Sequence, residues 1–136
     1  MRRSNGKIND LINTLQNLTD RKNFLLVFLF GSFAKECSTV DSDVDVAIMF
    51  KNIPDFYGVN DLKDELSSHI GRAVDILVLN TASPIIRMQV LKYGLVIKKD
   101  PKVYNDFFVR TFNEYNDLKY LRREAENSIL AGNIHA

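Results

Sequence analysis

One cysteine in 136 residues, Cys37, excludes an intramolecular disulfide and builds no zinc site by itself. The two histidines, His69 and His135, stand at no metal-ligand spacing from it or from each other. Cys37 therefore reads as an inert small residue, and its isolation fits a reducing, cytoplasmic setting. The longest apolar run, Phe24 to Phe30, falls far short of the roughly 20 residues a membrane helix needs. The basic opening "MRRSNGKIND" is followed by no apolar core, so no signal peptide is expected. Charge of one sign is also lacking: 18 Lys and Arg face 17 Asp and Glu, a formal net of +1. No overall field then selects nucleic acid or membrane, and any partner has to be chosen by a local site. There is no internal repeat, no low-complexity stretch and no Gly-x-x-x-x-Gly-Lys run, which excludes a P-loop.

What is present is ordinary in amount, with 46% apolar and 26% charged residues, and fits one compact domain over residues 1–136. Ile8, Leu11, Ile12, Leu15 and Leu18 recur at helical spacing. "NFLLVFLFGS" follows as a buried strand ended by glycine, "DVDVAIMF" as a second and "AVDILVLN" as a third. Leu62, Leu66 and Ile70 mark a short helix over about 60–70 between the second and third strands. "SPIIRMQVLKYG" has a Ser cap, Pro at the first helical position and a closing Gly; "LVIKK" is a short fourth strand. The remainder, from "DPKV" to Gly132, is a helix over about 101–131, roughly 45 Å long. Its stripe of Phe107, Phe108, Phe112, Tyr115, Leu118 and Leu121 either awaits another chain or folds back on its own domain. The fold class is α/β, a small sheet flanked by helices.

The stretch "GSFAKECSTVDSDVDVAIM", Gly31 to Met49, carries the chemistry. Side chains alternate along a strand, so Asp43, Asp45, Ala47 and Met49 share one face and Val44, Val46 and Ile48 the other. Two carboxylates facing one way repel unless a cation lies between them. An oxygen-only acidic pair suits Mg²⁺ or Mn²⁺, hard ions that keep waters and bind phosphate oxygens. Asp75 stands among apolar neighbours in "AVDILVLN", where an unpartnered buried carboxylate is costly. With the third strand beside the second, Asp75 reaches the same cations, and three carboxylates make a two-metal site. Gly31 lets backbone approach a phosphate, Ser32 donates to a phosphate oxygen, and Lys35 adds positive charge one turn on. Plainer readings exist for each. Asp75 pairs with Arg72 or Lys51, Ser32 caps a helix, Lys35 is a surface lysine, and Asp41 is a loop acid. An EF-hand loop starting at Asp41 is excluded, because Val46 and Asn52 occupy its glycine and glutamate positions.

The spacing G-S-x(10)-D-x-D, from Gly31-Ser32 to Asp43 and Asp45, with Asp75 as third acid, resembles the signature of polymerase-β-type nucleotidyltransferases. The likeness is greatest to the minimal nucleotidyltransferases (MNT proteins) and covers roughly residues 7–130. It implies a palm-like fold with a small mixed sheet and a long C-terminal helix. It also implies transfer of AMP from ATP, with two Mg²⁺ ions and release of pyrophosphate. Many such proteins are antitoxins that add AMP to a tyrosine of a HEPN ribonuclease toxin. By analogy Asp43 and Asp45 bind both metals, and Asp75 binds the catalytic metal and helps take the acceptor's proton. Gly31 and Ser32 cradle the triphosphate. Relatives often carry Arg-Gly where Lys35-Glu36 stands, which trades a bidentate fork for a point charge and adds an acid near phosphate. The expectation is a change in rate or nucleotide affinity rather than lost chemistry, because the metal ligands are untouched.

Two other functions use the same residues. A small-molecule nucleotidyltransferase of the aminoglycoside-modifying type shares the catalytic half, but those enzymes add a domain for the sugar, and this chain is expected to be too short for one. A non-catalytic antitoxin acts by contact alone, against which the complete acid set argues.

Overall fold

The computed structural model describes the backbone of residues 2–31 and 43–135 and the side chains of 9–31 and 43–131. Eight elements follow one another: α1 (Arg2–Asp20), β1 (Phe24–Phe30), β2 (Val44–Phe50), α2 (Phe56–Ile70), β3 (Val74–Val78), α3 (Pro84–Tyr93), β4 (Leu95–Lys99) and α4 (Pro101–His135). Their order and type agree with the sequence reading. The strands form one sheet in the order β3-β2-β1-β4. β1 runs antiparallel to both β2 and β4, while β2 and β3 are parallel, so the sheet is mixed. A parallel pair needs a crossover, and α2 supplies it.

Alternation along the strands divides the core in two. Val27, Leu29, Val44, Val46, Ile48 and Val74 meet Leu11 and Leu15 of α1 and Leu62 and Leu66 of α2 on one face. Leu26, Phe28, Ala47 and Leu79 meet Val90 of α3 and Phe107 of α4 on the other. Helices thus cover both faces of the sheet.

Local chemistry sets the element ends. Asp55 caps α2, its carboxylate accepting from Gly58 N at 2.8 Å, which starts that helix at Phe56 rather than near residue 60. Gly71 closes it in the left-handed conformation, φ 76°. Ser83 and Pro84 open α3 as expected. Gly94 closes α3 for a different reason: its φ is −76°, but a β-carbon there would stand 2.5 Å from Val90 O and 3.4 Å from Phe28 Cβ. The carbonyl of the helix's own last turn, not backbone handedness, requires that glycine. Lys98 reaches from β4 to the end of α1, donating to Thr19 O at 3.1 Å and Lys22 O at 3.0 Å.

Gly132, expected to end the last helix, does not: α4 continues to His135 over 35 residues, about 50 Å. Glycine lowers helix propensity by about 1 kcal/mol and stops a helix only when a cap or packing takes over. Phe107 and Thr111 are buried and Glu114 and Tyr115 half-buried, whereas every residue from 116 to 131 is exposed. The fold-back reading fails for that part of the stripe. Among the described residues no helix is long and apolar enough to cross a membrane.

Candidate active site

Phe30 is the last residue of β1 and pairs with Asp45 of β2. Asp45 in turn pairs with Asp75 of β3. In-register partners on neighbouring strands point to the same face, so both carboxylates stand on the α3/α4 side, beyond Phe30 at the end of the cluster there. Asp43, two residues before Asp45, lies just ahead of β2 and is exposed. The start of the parallel pair is pinned on both sides. Val44 N donates to Ala73 O at 2.9 Å, and Val74 N donates to Ser67 Oγ at 3.1 Å.

Asp43 and Asp75 both act on Asp45. Burial raises the pKa of Asp45 above its ordinary value, and the negative charges of Asp75 and then Asp43 raise it further. A half-buried carboxylate pushed upward by two like charges is a group short of a cation. Gly31 makes room for it. Its φ is 80°, in the left-handed region, and a β-carbon on it would lie 2.2 Å from Asp45 Oδ2. The close approach seen at Gly31 is that of the chain's own Asp45 carboxylate, whereas the one expected from the sequence is to a phosphate.

Asp75 departs from its expected surroundings. It is exposed, its side chain 57% accessible, because β3 is an edge strand. Among the described residues its ion-pair partner is Lys63 of α2, with Nζ 3.2 Å from Asp75 Oδ1, rather than the expected Arg72 or Lys51. Sequence reasoning missed Lys63. In "DLKDEL" it reads as one charge among many on a solvated helix face, and only the crossover brings that face to the edge of β3.

The donors suit a hard divalent cation: carboxylate oxygens alone, on one sheet face and mutually repelling. Among the described residues, no three Asp, Glu, His or Cys side chains already converge enough to enclose an ion. Two carboxylates with water and phosphate oxygens completing the shell still satisfy Mg²⁺, which retains several waters. Ser32, Lys35, Glu36, Cys37 and Asp41 lie outside the described residues. A separate cavity of about 210 Å³, lined by Met49, Asn80, Arg87, Asp106 and Arg110 among others, lies at the opposite end of β2 and shares none of the acids.

Comparison with known proteins identifies the family. Residues 9–102 match the family described as polymerase beta, nucleotidyltransferase. The chain is 26% identical over 106 residues to the protein adenylyltransferase MntA of Shewanella oneidensis, a match spanning 78% of this chain and 76% of that protein. It superposes on a crystal structure of a toxin–antitoxin with AMP-PNP at a TM-score of 0.76, with 24% identity over 88% of this chain and 98% of that one. Against the complex of the tri-AMPylated S. oneidensis HEPN toxin with its MNT antitoxin the TM-score is 0.68. That second match has 23% identity, over 93% of this chain and 98% of that chain. These two likenesses establish a shared fold. With more than half its length matched by the family, including β1, β2 and β3 with all three acids, the chain belongs to the polymerase beta nucleotidyltransferases.

Proposed function

We propose that this chain is a cytoplasmic antitoxin that transfers AMP from ATP to a tyrosine hydroxyl of a HEPN-family ribonuclease toxin and so neutralises it. The observation that carries the reading is the register of Asp45 against Asp75, with Asp43 close enough to shift the charge balance of Asp45. The relative MntA, a protein adenylyltransferase, supplies the class of acceptor.

In the reaction, the acceptor oxygen attacks the α-phosphorus of ATP in line with the bond to the β-phosphate. That bond breaks, pyrophosphate leaves, and AMP remains on the tyrosine oxygen. Asp43 and Asp45 would hold two Mg²⁺ ions (Mn²⁺ being an alternative), with Asp75 on the catalytic one. When bound, the metal neutralises phosphate charge and acidifies the acceptor hydroxyl. Asp75 takes the acceptor's proton, its exposed position at the sheet edge leaving it open to an incoming chain. Gly31, Ser32 and Lys35 cradle the triphosphate. Its backing by Gly31 holds the Asp45 carboxylate in one place, which matters because misplacement by about 1 Å costs on the order of 10²-fold in rate.

The test is incubation with α-labelled ATP, Mg²⁺ and a HEPN protein encoded beside this gene. Label on a tyrosine of that protein is the expected result. Label on aminoglycosides and not on protein would favour the small-molecule reading. Full neutralisation by a triple Asp→Asn variant at positions 43, 45 and 75 would favour contact alone.

A further inference from the structure

Lys63 brings a positive charge to the acid cluster, and its placement is specific. Its ammonium lies 3.2 Å from Asp75 Oδ1, the carboxylate at the edge of the sheet. Asp75 also acts on Asp45 more strongly than Asp43 does. A cation parked on Asp75 therefore lessens the repulsion that β2–β3 pairing creates. A divalent ion arriving at the same oxygen meets that ammonium first. The two cannot both hold Oδ1 without repelling each other.

We propose that Lys63 is a positioning residue for Asp75: it occupies that carboxylate until a divalent cation displaces it, and so sets the metal affinity of the site. The proposal rests on the reading of Asp43, Asp45 and Asp75 as metal ligands. The residue type fits exchange. A lysine makes a single-point contact on a flexible four-carbon stem and lets go at little cost, whereas arginine would grip a carboxylate with two parallel bonds. Both partners are partly exposed, 42% and 57%, so the ammonium has water to move into. α2, which carries Lys63, is also the crossover between the strands that hold the acids, so core packing of Leu62 and Leu66 fixes where the lysine stem starts relative to β3.

The experiment measures Mn²⁺ binding by electron paramagnetic resonance on the full chain, with four variants. Lys63→Met should tighten binding roughly two- to fivefold, the scale of releasing an exposed ion pair. Lys63→Arg should bind no more tightly than wild type. Lys22→Met removes an ion pair to Glu65 on the same helix, with the same change in net charge and no contact with the acids, and should leave affinity unchanged. Asp45→Asn should lose binding. Equal or weaker affinity in Lys63→Met, or an equal gain in Lys22→Met, would overturn the role of Lys63 while leaving the metal site standing. Absence of Mn²⁺ binding by wild type would overturn both.

Discussion

Asp45 sits where folding and chemistry want opposite things. Its raised pKa means that the folded chain holds a proton there more tightly than the unfolded chain. The charged side chain thus costs stability above its folded pKa, and the cost is relieved as pH falls through that value toward the ordinary one near 3.8. Asp45→Asn is accordingly expected to raise the Tm at neutral pH without divalent ions, as read by thermal melts. Added Mg²⁺ should raise the Tm of wild type only and narrow the gap. The same variant should reduce AMP transfer roughly 10²–10³-fold, the usual cost of losing a group that stabilises transition-state charge. Gly31→Ala attacks the same carboxylate from behind. A side chain at φ 80°, with Asp45 Oδ2 in its way, should destabilise the chain by about 1–3 kcal/mol in urea titration and displace Asp45 enough to weaken Mn²⁺ binding.

Between elements, the junction of α3 with α4 depends on one guanidinium. Arg87 donates to Ala82 O at 3.1 Å, to the buried Thr111 hydroxyl at 3.4 Å, and to Glu114. The hydrogen bond from Arg87 holds Glu114 below its ordinary pKa of 4.5, with a smaller opposing contribution from desolvation. A depressed carboxylate contributes stability that is present above its unfolded pKa and lost as pH falls through the folded one. Glu114→Gln should lower Tm at pH 7 and flatten the acid limb of the stability–pH profile below about pH 4.5. An unchanged acid limb would count against the ion pair. Much at this scale was legible from periodicity and punctuation, because apolar spacing reports directly which face is buried. The misreadings share a cause. The sequence neighbours of Asp75 predict burial, yet burial depends on which strand forms the edge of the sheet. Asn80, unremarked in the sequence, accepts from Phe50 N and donates to Phe50 O, both at 2.9 Å, finishing β2 as another strand would. No local pattern announces a partner 30 residues away.

Across the whole molecule, the least self-sufficient part is the outer half of α4. Leu118, Tyr120, Leu121, Ile129 and Leu130 are exposed along a helix that has left the sheet behind. Leu118→Glu with Leu121→Glu should therefore change unfolding free energy by no more than about 0.5 kcal/mol per site, as measured by urea titration of the isolated chain. A loss several times larger would mean that this segment packs on its own domain after all. The acids show the reverse dependence. Asp43 and Asp45 were readable from spacing in one stretch, while the pairing of Asp45 with Asp75 exists only once α2 has carried the chain across.

That pairing has a weakness the hydrophobic core cannot police. Sliding β3 by one residue would exchange its two faces, driving Asp75 into the apolar core under α1 and α2, and burial would forbid it. Sliding it by two would leave every apolar side chain on its proper side while setting Asp75 opposite Asp43 or Ala47. Polar fasteners hold the working alignment at both ends: Val44 N to Ala73 O and Val74 N to Ser67 Oγ at the start, and the two hydrogen bonds between Asn80 and Phe50 at the finish. A serine on the crossover helix, holding the backbone one residue ahead of Asp75, thereby helps to guard the alignment on which the chemistry turns.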